Sequence, residues 1–102
     1  MHLNFTLRKV IIMKIMAICG SGLGSSFMVE MNIKKVLKKL NIEAEVEHSD
    51  LSSATPGAAD LFVMAKDIAA SASVPDHQLV VINNIIDINE LEAKLQIYFA
   101  NR

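Results

Sequence analysis

Apolar residues along this chain follow two rhythms. Short runs, unbroken or strictly alternating, are separated by longer stretches in which apolar positions recur every three to four residues. Residues 15–18 are an unbroken run (Ile15, Met16, Ala17, Ile18) and predict a first strand, buried within a longer apolar stretch that begins at Val10. Further on, Val29, Ile33, Val36, Leu37 and Leu40 fall at i, i+4, i+7, i+8 and i+11. That spacing lines one face of a helix, which runs to about Leu40 with Asn41 as its stop. Residues 43–48 alternate: Ala44 and Val46 on one side, Glu43, Glu45 and Glu47 on the other. Such a half-exposed strand belongs at a sheet edge. Residues 52–57 read as loop, with a short helical turn before them. Leu61–Ala65 is apolar throughout, as expected of a central strand covered on both faces. Residues 66–73 predict a short helix or loop that stops near Pro75, and Leu79–Ile82 a fourth strand. Asp87 and Glu90 have capping-box spacing, and Ile88, Leu91, Leu95, Tyr98 and Phe99 form the buried stripe of a last helix.

Strands alternating with helices imply parallel pairing and right-handed crossovers. The expected fold is a small doubly wound α/β sandwich: a four-stranded parallel sheet in the order 2-1-3-4, with helices on both faces. This order puts the first strand inside the sheet. Its C-terminal end then lies near the topological switch point, where open α/β sheets bind ligands.

Composition narrows the picture. The 102 residues suit one domain over residues 13–102, with residues 1–12 as an N-terminal extension and Met13 as a candidate natural start. Apolar residues make up 52% of the chain and the net charge is −1, so no basic excess favours nucleic acid. Trp is absent, which removes the best base-stacking side chain. A single Cys precludes an internal disulfide and a cysteine-rich zinc site. No His/Cys/Asp spacing suggests a metal, and no cofactor is expected. Arg8 and Lys9 followed by an apolar run resemble a signal peptide. Lys14 interrupts that run, however, and Ile18 stands where processing needs a small residue. The run is also too short to span a bilayer. A cytoplasmic protein without membrane insertion is expected, and a lone thiol suits a reducing compartment.

The candidate chemistry is concentrated in Cys19-Gly20-Ser21-Gly22-Leu23-Gly24-Ser25-Ser26, which holds three of the four glycines. A glycine-rich turn from strand to helix lets backbone N–H groups converge, and the helix N-terminus adds positive potential. A thiol there should ionise readily, and the same cradle would hold a phosphocysteine. Ser21, Ser25 and Ser26 add hydroxyl donors. The competing reading is a buried structural Cys beside packing glycines. Other phosphate motifs fit poorly. A Walker A loop needs Lys where Ser25 stands, and Gly20, Gly22 and Gly24 give G-x-G-x-G rather than G-x-G-x-x-G. The low-molecular-weight tyrosine phosphatase loop, C-x5-R-[ST], needs Arg where Ser25 stands, so its bidentate phosphoryl clamp is missing.

Cys19 through Ser26, together with Met28, Met31 and Asn32, resembles the IIB component of the bacterial phosphoenolpyruvate-dependent sugar phosphotransferase system. The likeness is to the ascorbate type and, less closely, the galactitol type; the layout extends over residues 13–101, with the loop as its specific part. It implies a phosphotransferase in which Cys19 is phosphorylated by a IIA phosphohistidine protein and passes the group to a sugar bound by a membrane IIC transporter. The sugar itself would be chosen by IIC. Two alternatives share the fold: a noncatalytic anion-binding regulatory module and a low-molecular-weight-type cysteine phosphatase.

Partner contacts have candidates too. Opposite the apolar stripe of the first helix lie Phe27, Met31, Lys34 and Lys38, flanked by Met28 and Lys35. Exposed Phe and Met on a basic face suggest docking, against an ordinary solvated face. Lys66, Asp67, Asn83 and Asn84 follow the third and fourth strands and are candidates for the rim of the Cys19 loop, against simple loop polarity. His48 and His77 read as surface or satisfied histidines, the latter at the far end of the sheet.

Overall fold

A computed structural model of the chain describes residues 13–19 and 25–101; residues 1–12, 20–24 and 102, and the side chains of Cys19, Ser25 and Ser26, lie outside the description. The described chain runs β1 (Met13–Cys19), α1 (Ser25–Leu40), β2 (Ala44–Asp50), β3 (Leu61–Ala65), α2 (Lys66–Ala69), β4 (Leu79–Ile82) and α3 (Ile88–Ala100). One-turn 3-10 helices at Leu51–Ser53 and Asp76–Gln78 precede the loop to β3 and strand β4. The four strands are parallel in the order β2-β1-β3-β4, as the alternation of apolar runs predicts.

Side-chain parity along each strand sets the two layers. Ile15, Ala17, Leu61, Val63, Val80 and Ile82 face α1 and α3, which bring Val29, Ile33, Val36, Leu37, Leu91 and Leu95 to them. Met16, Ile18, Phe62 and Met64 face the other way. That second layer is thinner. It is closed by α2 and the connecting loops through mostly small residues: Ala54, Ala58, Ala59, Ala69, Ala72 and Val74. Large side chains from the sheet therefore fill the volume, and Phe62 is wholly buried. A gap of this kind favours the adaptable methionine side chain, and Met16 and Met64 supply it.

The strands extend beyond the residues their patterns suggested. β1 begins at Met13, paired with Ala44, and β2 continues past His48 to Asp50. The loop after β2 is tied back to β1: the Lys14 N–H donates to Asp60 Oδ2 at 2.7 Å, and the Asp60 N–H donates to the Lys14 carbonyl at 2.9 Å. Of residues 66–73 only Lys66–Ala69 is helical. Asp87 caps α3 as predicted, its Oδ1 accepting from the N–H groups of Asn89 and Glu90 at 3.0 and 3.1 Å. The return half of the capping box does not form. The Asp87 N–H instead donates to the Asn84 carbonyl at 3.0 Å, which frees the Glu90 carboxylate for another use.

Candidate functional site

The C-terminal edge of the sheet is where the candidate chemistry collects. From β1 the chain leaves to α1 on one face; from β3 it leaves to α2 on the other. The ends of β1 and β3, registered through Ile18 and Met64, therefore flank the switch point. Cys19 is the last residue of β1, paired with Asp50, and α1 begins at Ser25. The first turn of α1 carries no acidic residue while Lys38 and Lys39 sit in its last turn. The positive end of the helix dipole is thus uncompensated by its own side chains at the Cys19 end. Gly20, Ser21, Gly22, Leu23 and Gly24, and the side chains of Cys19, Ser25 and Ser26, fall outside the described residues.

The outward face of α1 matches the helical-wheel expectation. Phe27 is 52% exposed and Met31 44%, with Lys34, Lys35 and Lys38 also exposed. Met28 is half-buried. The sequence reading missed Glu30, which is 7% exposed and is the buried charged residue among those described. It lies three and seven residues before Ile33 and Leu37, a spacing that places it on the inner face and could have revealed it. Its carboxylate is divided between two cations or donors. Lys34 Nζ donates to Oε2 at 2.8 Å, and His48 Nδ1 is hydrogen-bonded to Oε1. Burial pushes the Glu30 carboxyl up, but the Lys34 and His48 hydrogen bonds and charges outweigh it and hold it below the usual carboxylate range. The Phe27 ring meets the His48 ring edge-on, with centroids 5.7 Å apart. His48 is therefore a satisfied histidine, as expected, but it lies on the strand beside Cys19: its register partner is Ala17, two residues earlier on β1.

The other rim candidates separate. Lys66 and Asp67 are exposed at the start of α2. Asn83 and Asn84 follow β4 and are engaged by α3. Their N–H groups donate to the Glu90 carboxylate at 2.8 and 3.0 Å, and Asn83 Nδ2 does so at 3.0 Å. His77 sits before β4, at the opposite end of the sheet from Cys19. Among the described residues no group of three His, Cys, Asp or Glu could hold a metal ion, and no helix is long and apolar enough to cross a membrane.

Comparison with known proteins agrees with this architecture. Residues 14–97 match the family model described as "PTS system, Lactose/Cellobiose specific IIB subunit". The chain is 27% identical over 85 residues to the ascorbate-specific PTS system EIIB component of Mycoplasma pneumoniae, covering 79% of this chain and 88% of that protein. It also superposes on the lactose-specific IIB component domain of the phosphoenolpyruvate:carbohydrate phosphotransferase system from Streptococcus pneumoniae. There the TM-score is 0.59 at 16% identity, over 87% of this chain and 96% of that one, a likeness that carries the fold alone. With strand order, switch point and family match in agreement, the chain belongs to the IIB subunits of the sugar phosphotransferase system, a family of phosphotransfer modules.

Proposed function

We propose that this protein is a phosphoryl carrier whose acceptor is Cys19. The thiolate attacks the phosphorus of a IIA phosphohistidine; the S–P bond forms as the N–P bond breaks, and the imidazole leaves. A hydroxyl of the sugar bound by IIC then attacks the phosphocysteine. The O–P bond forms, the S–P bond breaks, the hydroxyl proton passes to solvent and the thiolate is regenerated. Little covalent work falls to the protein in such a transfer beyond positioning and charge stabilisation. The observation that carries the reading is the coincidence, in a chain of this family, of its one cysteine with the end of an inner strand at the switch point. Gly20, Ser21, Gly22, Leu23, Gly24, Ser25 and Ser26 would cradle the phosphoryl group with backbone N–H groups and hydroxyls. Phe27, Met28, Met31, Lys34 and Lys38 would form the docking surface for IIA and IIC; the exposure of Phe27 and Met31 beside several lysines supports this assignment. IIA and IIC follow as partners from membership in the family, and the carrier would work at the cytoplasmic side of the membrane. The sugar is that of the IIC partner, with ascorbate suggested by the Mycoplasma relative.

The test is sugar phosphorylation reconstituted with IIA, IIC and this protein. Cys19→Ser should abolish phosphorylation while leaving the fold and the binding of IIA intact. Wild-type turnover by the Ser variant would reject the sulfur relay.

A further inference from the structure

The packing of α1 on β2 changes character along its length. Away from Cys19 it is apolar, with Ile33, Val36 and Leu37 on the helix and Ala44 and Val46 on the strand in one cluster. Toward the start of α1 it becomes charged and aromatic: Glu30 bridges Lys34 and His48, and Phe27 lies edge-on to His48. Removing a carboxylate from water is costly, and a buried ion pair is weak evidence for stability. An apolar residue at position 30 would continue the packing of Ile33 and Leu37. The polar arrangement is confined to the end of the interface nearest Cys19. Glu30 lies five residues into the helix, about 1.5 turns. His48 lies two register steps before Asp50, the partner of Cys19.

We infer that His48 is a positioning residue for the chemistry of Cys19. Clamped by Glu30 and braced by Phe27, it fixes the first two turns of α1 against the end of β2, and so sets the start of the helix relative to Cys19. The inference rests on the carrier reading for its role in phosphoryl transfer. Glu30 accepts from Nδ1, so the clamp uses that nitrogen and leaves Nε2 outside it. The contact is charge-assisted when the imidazole is protonated and an ordinary hydrogen bond when it is neutral. Among the described residues the ionic partner of His48 is Glu30, which also pairs with Lys34; Ala17 is the register partner of His48 on β1, and Asp50 lies two residues farther along β2. Asp50 is itself occupied by the hydroxyls of Ser52 and Ser53.

The experiment compares the wild type with His48→Leu, His48→Asn and Glu30→Gln. Leu fills space without a donor, Asn retains a donor near the Nδ1 position, and Gln keeps the shape of Glu30 without its charge. Two readouts are taken across pH: the rate of phosphoryl transfer from phosphorylated IIA, resolved into maximal rate and half-saturating IIA concentration, and the alkylation rate of Cys19 without any partner. His48→Leu should lower the maximal transfer rate by about ten-fold, as expected for a misplaced reacting group, at an unchanged half-saturating concentration. It should also shift the alkylation pH profile. His48→Asn should restore most of the rate. Should His48→Leu fail to fold, Glu30→Gln provides the same comparison and should lower the maximal rate in the same direction. Wild-type rates and alkylation profiles in both Leu and Gln variants would overturn the inference. So would a change confined to half-saturation, which assigns His48 to docking, or an Asn variant as slow as Leu, which assigns the role to Nε2. If the wild type accepts no phosphoryl group, the carrier reading fails; the alkylation profile still decides whether the clamp acts on Cys19.

Discussion

Glu90 is the main side-chain acceptor in the turn after β4. One carboxylate accepts from the Asn83 and Asn84 amides, from Asn83 Nδ2 and from Lys94 Nζ, the last at 3.0 Å. Lys94 Nζ also donates to the Val81 carbonyl at 2.6 Å, linking the same cluster to β4. The Asn83 N–H and the Lys94 contact bring the Glu90 pKa down from 4.5 to about 2. A carboxylate with a depressed folded-state value stabilises the fold above its unfolded value and loses that contribution as pH falls through the folded one. The window for Glu90 is therefore from 4.5 down to about 2. Thermal melts across that window should show the wild type losing more stability than Glu90→Gln, which has no proton to take up. Equal losses would mean that the Glu90 contacts contribute nothing in solution. Sequence spacing identified Asp87 and Glu90 as a pair, and the Asp87 half formed. The Glu90 half did not, because the spacing of a capping box says nothing about a preceding loop that offers competing amides.

At the scale of elements, the ends of helices are the most legible features. Asn41 stops α1 in the left-handed region, φ 64°, and completes a Schellman motif. The Ile42 N–H donates to the Leu37 carbonyl at 2.9 Å and the Asn41 N–H to the Lys38 carbonyl at 3.2 Å, while Ile42 and Leu37 pack in one cluster. A β-branched residue is strained at this φ. Asn41→Val should cost about 1–2 kcal/mol in urea unfolding, whereas Asn41→Gly should stay within a few tenths. A Val variant as stable as the wild type would show that the turn relaxes out of this conformation. The N-cap is a parallel case: Asp87→Ala should cost about 1 kcal/mol by the same measurement, and no change would mean that α3 begins elsewhere. Strands were legible where burial dictated composition, as in Leu61–Ala65, buried or nearly so throughout. β2 was harder to bound, because His48, Ser49 and Asp50 carry no apolar alternation although they pair in register with Ala17, Ile18 and Cys19. Glu30 was missed because a charged residue on an inner helix face is read as surface until its partners, Lys34 and His48, are seen.

Across the whole molecule, strand order followed from the sequence because an all-parallel sheet with short connections leaves few arrangements. The unequal thickness of the two layers did not follow. Which residues cover Phe62, Met16 and Met64 depends on how residues 51–60 and 66–74 lie across the sheet, and no periodicity encodes that. The candidate site was legible as a motif, since Cys19 and the glycines stand together in the chain. Its relation to His48 was not, because that depends on register between β1 and β2. The exposed face of α1 makes a prediction at this scale. The double variants Phe27→Ser/Met31→Ser and Lys34→Glu/Lys38→Glu should slow phosphoryl exchange with IIA or IIC, the second more at low salt than at high. Melting temperature should change little for Met31→Ser, whose side chain is exposed, whereas Phe27→Ser also removes the ring that meets His48. Wild-type exchange in both variants at every salt concentration would place docking elsewhere.

The central claim is that phosphate passes through Cys19, and intact-mass analysis tests it most directly. The protein is incubated with IIA phosphorylated on histidine, and the product is measured before and after thiol alkylation. The account predicts a gain of one phosphoryl group per chain, mapped to the peptide containing Cys19, hydrolysed as a thiophosphate ester and prevented by prior alkylation. A phosphoryl group on a histidine or serine, or none while the same IIA phosphorylates an established IIB protein, would contradict it.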